Sequence, residues 1–206
     1  MTNGYRQAQV ADLPEIVRIH QAAFPDFFMT ALGPRFLANF YRRILSYPDH
    51  VFWLKQGNAG LEGFAAGFLH PGEFYLRMKA ERLSIALIVA TRVLSRPSLL
   101  PRVLASYGEV WRSIREDDKD LCELSSIAVH PDCSGKGIGQ GLAAVFIEGA
   151  RSRAKIIVLT TDAAGNEGVN RFYLKLGFVL ADSYERSKGR WMNRYRFQLD
   201  KPPTGA

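Results

Sequence analysis

The chain carries only two cysteines in 206 residues, Cys122 and Cys133. Two isolated thiols supply neither a disulfide framework nor the paired spacing of a zinc site, so a reducing compartment, the cytoplasm, is the expectation. Histidine is nearly as scarce. His20, His50, His70 and His130 fall at no metal-ligand spacing, and no metal is expected. Long apolar runs are missing too: the most apolar stretch, residues 83 to 90, falls far short of the ~20 residues of a bilayer span. It reads as a buried helix. The opening Met1-Thr-Asn-Gly-Tyr-Arg-Gln has no signal-peptide core, and no internal repeat or low-complexity tract interrupts the chain.

Dense blocks of one charge are also absent. A formal charge of +7 invites a nucleic-acid partner, but the basic residues are scattered and no RNA- or DNA-binding signature accompanies them. No nucleic acid is expected, although an RNA-associated protein using its basic surface is a third reading. With 47% hydrophobic and 23% charged residues, the composition is that of an ordinary globular protein able to bury a core. Residues 1 to 206 fit one domain with an elaboration.

What the chain does have is glycine in one place. Residues 133 to 142 read Cys-Ser-Gly-Lys-Gly-Ile-Gly-Gln-Gly-Leu, with Gly135, Gly137, Gly139 and Gly141 at alternate positions. The block follows an apolar strand-like segment, 124 to 129, and opens a helix-like one from Leu142. Backbone N–H groups stripped of side chains can converge there at a helix N-terminus, where the macrodipole favours an anion such as phosphate. The spacing matches neither the G-x-G-x-x-G dinucleotide fingerprint nor the P-loop, since no Lys-Ser or Lys-Thr closes it.

Around this block the pattern alternates. A strand from Tyr5 to Val10 precedes a helix capped by Asp12 and running to Ala23, and a second helix covers 34 to 47. Strands at 51 to 55 and 61 to 69 are joined by the turn Gly57-Asn-Ala-Gly60. Residues 70 to 119 break the rhythm with two helix-like stretches, roughly 74 to 95 and 98 to 114. Then come a strand at 122 to 130, a helix at 139 to 151, a strand at 156 to 161 and a helix at 166 to 176. Strands near 178 to 184 and 191 to 199 close the series, and residues 201 to 206 form a frayed tail.

Two blocks together resemble the GNAT N-acetyltransferases. Val129-His-Pro131 followed by Ser134-Gly-Lys-Gly137-Ile-Gly139 is similar to that family's acyl-coenzyme A loop, with Ser134 where Gln or Arg is usual. Asn166, Tyr173 and Gly177-Phe178 repeat the family's second signature at matching spacing, with Val169 in its Ala place. The resemblance covers roughly 5 to 69 and 120 to 199. It implies an α/β fold, a single GNAT-type domain whose mixed, mostly antiparallel sheet of about seven strands is flanked by helices. Residues 70 to 119 then become a helical insertion between the third and fourth strands.

The implied donor is acetyl-coenzyme A, held by Ser134, Gly135, Lys136, Gly137, Ile138, Gly139, Gln140 and Gly141, with Asn166 on the pantetheine arm. Backbone of Ile127, Ala128 and Val129 would face the thioester and its oxyanion. Lys136, Arg151, Arg153 and Lys155, close to the loop in sequence, are assigned to the coenzyme's phosphates. Acetylating an amine poses a proton problem, because an alkyl amine of pKa about 10.4 is neutral in only about one molecule in a few thousand at pH 7. Glu123 is the candidate base, placed by strand alternation on the face of Ser125, Ile127 and Val129; Asp162 or a water relay is the reserve. Tyr173 is the candidate proton donor to the leaving sulfur, and direct transfer leaves Cys133 without a nucleophile's task.

The acceptor side is less defined. Phe24, Phe27 and Phe28 fall where the family borders its acceptor, as pocket lining or simply as core, and Asp26 beside them is the candidate partner of a cationic acceptor. A small-molecule amine is the expected acceptor, and a homodimer is one assembly the chain leaves open. The insertion would serve the acceptor mouth or an oligomer interface, with 83 to 90 packed on the domain or on a second subunit. The competing functions are a non-catalytic acyl-coenzyme A sensor and an acetyltransferase for a protein amine.

Overall fold

Along β2 (His50–Gly57) the side chains alternate between two apolar faces. Phe52 and Leu54 enter one core, while Val51 and Trp53 join the other. A strand apolar on both faces must lie inside a sheet covered on both sides. The computed structural model, which describes residues 4–100, 103, 120–187 and 189–199, has that architecture. Seven strands form one sheet in the order β1-β2-β3-β4-β5-β7-β6. They are β1 (Tyr5–Gln7), β2, β3 (Gly60–Leu69), β4 (Leu121–Val129), β5 (Ile156–Asp162), β6 (Val179–Ser187) and β7 (Arg190–Gln198). Only β4 and β5 run parallel; the other neighbours are antiparallel, as expected.

One face carries α1 (Leu13–Ala23), α2 (Phe28–Ala31), α3 (Pro34–Ser46) and α4 (Pro71–Ala80). Ile16, Ile19, Leu37, Tyr41 and Ile44 meet Phe52, Leu54, Phe64 and Phe68 there. The other face carries α6 (Ile138–Arg151) and α7 (Glu167–Lys175), whose Leu142, Phe146 and Tyr173 pack with Leu124, Ile157, Leu159 and Tyr195. Helix α6 comes close because β3 has glycine beneath it. A Cβ on Gly67 would lie 2.6 Å from the Phe146 ring and 2.0 Å from the Glu123 carbonyl oxygen.

Element ends differ from the sequence reading by up to three residues, β6 running on to Ser187 past the expected 184, except in two places. The first strand stops at Gln7, and a short 3-10 turn, Val10–Asp12, leads into α1. Asp12 sits at the N-cap without capping α1, because its carboxylate binds the Arg6 guanidinium at 2.7 and 2.8 Å and the Gln9 N–H at 2.8 Å. The expected helix 74 to 95 is two helices, α4 and α5 (Arg82–Ser95), broken at Glu81. Ile85, Ile88 and Val89 of α5 are half-buried, whereas Leu83, Leu87 and Leu94 are 81%, 69% and 82% exposed. The apolar run is therefore only partly covered within the described chain. Residues 104–119 and the tail lie outside the described residues, and among those described no helix is long and apolar enough to cross a membrane.

His20 is the polar exception in the first core. It is 1% exposed and linked by a 2.6 Å hydrogen bond to the fully buried Tyr41 hydroxyl, which also meets Ser126. Burial pushes its imidazole down to about 4. A histidine in the unfolded chain titrates near 6.5, so on acidification the unfolded state takes up this proton first. The contribution is fully present above pH 6.5 and is lost as pH falls through about 4, by roughly 3 kcal/mol in all. Urea midpoints measured from pH 7 to 4 should fall, and fall less steeply in His20→Gln. Equal slopes in the two chains would clear His20.

Candidate active site

The parallel ladder between β4 and β5 is short. It joins Leu121 to Ile156, Cys122 to Ile157 and Glu123 to Val158, and among the described residues it ends there. Beyond that point β4 runs on to Val129 against β3, and β5 runs on to Asp162 against β7. A slot opens in the sheet. Its β4 wall, including Ile127, Ala128 and Val129, turns one row of backbone groups toward a side with no strand partner among the described residues. Backbone donors and acceptors left so require a ligand or water, and an extended chain containing amides fits.

The glycine loop lies at the mouth of this slot. Pro131–Cys133 form a single 3-10 turn, closed by Cys133 N–H to the His130 carbonyl at 2.8 Å and Ser134 N–H to that of Pro131 at 3.1 Å. Gly135 (φ 77°) and Gly137 (φ 75°) take the left-handed conformation on either side of Lys136, and α6 starts at Ile138. Alternating handedness curls successive N–H groups into a concavity for an anion, continued by the unpaired amides of the first helical turn. Gly141 lies too deep to add to it. Its N–H already donates to the Gly137 carbonyl at 3.0 Å, and a Cβ there would fall 1.8 Å from the Tyr5 hydroxyl, so this glycine serves packing. A Cβ on Gly139 would point into the slot, 3.5 Å from Phe172 and 3.8 Å from Val129.

Of the four basic residues assigned to phosphates, only Lys136 is at the loop, its Nζ 3.5 Å from the Asp132 carbonyl. Arg151, Arg153 and Lys155 stand at the far end of α6. They pair with Glu148, Asp49 and Asp120 at 2.9, 2.8 and 2.6 Å. Fourteen helical residues separate the ends by about 20 Å; nearness in sequence becomes distance once a helix intervenes. Alanine at Lys136 should weaken acetyl-coenzyme A about fivefold, ~1 kcal/mol. Alanine at the other three should change the calorimetric affinity by less than about twofold, and a larger loss at Arg153 would move the phosphates to that end.

Glu123 faces the opposite side of the sheet from the one alternation implied. Ala66 pairs with Ser126 and Gly67 with Leu124, leaving Ser125 as an extra, bulged residue. A bulge reverses the parity of every later side chain. Cys122 and Leu124 therefore point to the α6 side along with Ile127 and Val129, while Glu123 points to the α4 side. There its Oε1 accepts a 2.7 Å hydrogen bond from the Tyr75 hydroxyl of α4. Arg186 and Tyr184 of β6 stand close enough to bias Tyr75 electrostatically. Neither Tyr75, Tyr184 nor Arg186 stood out in the sequence; each is far from Glu123 along the chain and carries no motif.

Asp162 is engaged elsewhere, both oxygens gripping Arg190 at 2.7 and 3.0 Å. Asn166 occupies the N-cap position of α7 without capping it, its Nδ2 donating instead to the Thr161 hydroxyl at 2.6 Å on β5. One turn on, the Asn170 Oδ1 accepts from the Tyr195 hydroxyl and the Asn193 amide of β7, fixing α7 to the sheet. Helix α7 ends in a Schellman turn, with Phe178 N–H on the Tyr173 carbonyl and Gly177 N–H on that of Leu174. Tyr173 is thereby held among Phe172, Phe178 and Tyr195, and burial pushes its phenol up.

Of the residues expected to border the acceptor, Phe24 packs against the first core, edge-on to His20 and tilted against Phe27. Asp26 and Phe27 are exposed, and Phe28 is half-buried at the start of α2.

The E. coli K12 L-amino acid N-acyltransferase MnaT is 32% identical over 98 residues, which span 46% of this chain and 55% of that relative. The chain thus matches about half the length of that curated relative. The E. coli ribosomal-protein-S18-alanine N-acetyltransferase superposes with a TM-score of 0.59 at 16% identity, over 98% of this chain and 97% of that one. A Salmonella typhimurium protein solved with its cofactor acetyl-CoA superposes with a TM-score of 0.57 at 19% identity, over 97% and 95% of the two chains. The acetyltransferase (GNAT) family matches residues 13–178. Because that span takes in the glycine loop, the slot and the strand bearing Glu123, the protein is a member of the GNAT acetyltransferase family.

Proposed function

We propose that this protein is an N-acetyltransferase that moves an acetyl group from acetyl-coenzyme A to a primary amine by direct attack. The observation that carries the reading is the slot between β4 and β5 with an anion-shaped concavity at its mouth. A substrate with a diphosphate at one end and an amide-bearing arm suits both parts. The diphosphate takes the N–H groups from Gly135 to Gln140. The arm adds its amides to the unpaired edge of β4, with Asn166 across from it, and the thioester stops near Glu123 and Tyr173.

Chemistry follows from those positions. An alkylammonium gives its proton to Glu123, directly or through a water, and the free amine attacks the thioester carbon. The oxyanion leans on a β4 backbone N–H. As the carbon–sulfur bond breaks, the Tyr173 phenol, kept protonated by burial, supplies the proton for sulfur and is restored, through water, by the second proton that the new amide nitrogen gives up. No covalent enzyme intermediate is required: the Cys122 thiol is pushed up by burial and by adjacent Glu123, so it carries little thiolate. Asp162, occupied by Arg190, is the weaker candidate base.

The same proposal takes the acceptor to be a small-molecule amine, the compartment to be the cytoplasm, and residues 1 to 206 to be one domain. MnaT's name makes free L-amino acids the first acceptors to try. A peptide with an N-terminal alanine belongs beside them, since one structural neighbour is named for that activity. Turnover of acetyl-coenzyme A followed by free-thiol release across this amine panel tests the reading. Heat protection by acetyl-coenzyme A without amine-dependent thiol release would make the protein a sensor and overturn the catalytic part.

A further inference from the structure

Tyr75 comes from the connection between β3 and β4, a segment outside both sequence blocks. Its placement is nevertheless tightly determined. At the end of β3, His70 adopts a left-handed conformation (φ 51°), uncommon for a residue with a side chain. Its N–H donates to the Leu121 carbonyl at 3.0 Å, which ties the start of α4 to the start of β4. Glu73 and Phe74 N–H groups return to the His70 carbonyl and begin the helix. Phe74 stacks on Phe68 with centroids 3.7 Å apart, and both rings meet Tyr75 edge-on at 5.6 and 5.7 Å. The phenol ring is clamped, and its hydroxyl ends 2.7 Å from Glu123 Oε1.

We infer that Tyr75 is a positioning residue for Glu123, donating to Oε1 and so helping the carboxylate keep one orientation and its ionised form at the acceptor side of the slot. The inference rests on the reading of Glu123 as the base. A carboxylate on a strand can otherwise swing among rotamers, and each wrong one removes the base from reach of the ammonium. The hydroxyl does not become a competitor for the proton. Burial and the neighbouring Glu123 push the Tyr75 phenol well up, with Arg186 pulling the other way and Tyr184 adding to the rise. Among the described residues, the titratable and charged groups that act on the pair include Cys122 on β4 and Tyr184 and Arg186 on β6. On this account the β3–β4 connection is functional through α4, whatever the rest of it does.

The test uses the full chain labelled with carbon-13 at glutamate side-chain carboxyls, with the Glu123 resonance identified by its loss in Glu123→Gln. Tyr75→Phe keeps the ring against Phe68 and Phe74 and deletes only the donor; Tyr75→Met is a second donor-free side chain, for use if the first fails to fold. Removing a donor to the charged form should raise the Glu123 midpoint by about half a unit or more, and the acid limb of kcat/KM should move the same way. The KM for acetyl-coenzyme A should stay within about twofold. An unchanged Glu123 midpoint in a folded donor-free variant overturns the inference. The carboxyl titration needs no acceptor, so this failure is distinct from that of the catalytic reading, which the turnover of Glu123→Gln decides.

Discussion

Glu123→Gln should lower turnover at pH 7 by about 10²-fold or more while leaving acetyl-coenzyme A affinity unchanged. The size follows from the acceptor. At pH 7 an alkyl amine lies about 4.6 kcal/mol from its neutral form, and a positioned carboxylate recovers part of that by taking the proton as attack begins. Glutamine keeps the shape and can still accept the Tyr75 hydrogen bond, so the loss reports the missing base rather than a cavity. The sign of the pH dependence is set by the amine. As pH rises toward 10 the neutral amine appears unaided, and the ratio of wild-type to variant rates should shrink. Asp162→Asn serves as the comparison and should cost less than about threefold if Asp162 only holds Arg190. Wild-type kcat at pH 7 in Glu123→Gln would remove that residue from the mechanism.

Gly139→Val should abolish measurable acetyl-coenzyme A binding, a loss of about 10²-fold or more, in a chain that still folds. Gly139 is the second residue of α6, and its missing side chain would project between Val129 of β4 and Phe172 of α7. The first carbon fits at ordinary contact distances, so the backbone need not move. Valine's two methyl groups then reach into the slot that the pantetheine arm would thread. Replacing glycine inside a helix is close to neutral or mildly favourable for stability, so Tm should change little. What should vanish is the rise in Tm on adding acetyl-coenzyme A, since stabilisation by a ligand scales with its occupancy of the folded state. Gly137→Val is a poorer choice because left-handed φ at that position strains any β-branched residue. Ser134→Ala should do almost nothing: its hydroxyl donates to the Pro131 carbonyl at 2.8 Å within the loop. Full-strength calorimetric binding to a folded Gly139→Val chain would show that the loop and slot hold something else.

Much of this protein was readable because the determining physics is local. Period-two alternation at 50 to 57 and helical spacing in 13 to 23 and 34 to 46 each bury one face or two, and these elements fell within a residue or two of their places. The glycine block was legible for a similar reason: positive φ at Gly135 and Gly137 is a demand that backbone sterics make on a single residue. Other features depend on what stands next to what. The bulge at Ser125 is a mismatch between β3 and β4, invisible in either strand alone, and it decided which side of the sheet Glu123 serves. The slot exists because β4 follows β3 and β5 follows β7 after their shared start, a property of three pairings at once. Helix α6 carried Arg151, Arg153 and Lys155 away from the loop they neighbour in sequence, since a rigid rod converts chain distance into about 20 Å of space. Tyr75 reached Glu123 through a left-handed turn and an aromatic clamp forty-eight positions earlier in the chain. Local sterics write themselves into a sequence; the meeting of distant side chains is settled only when the sheet and its helices close around them.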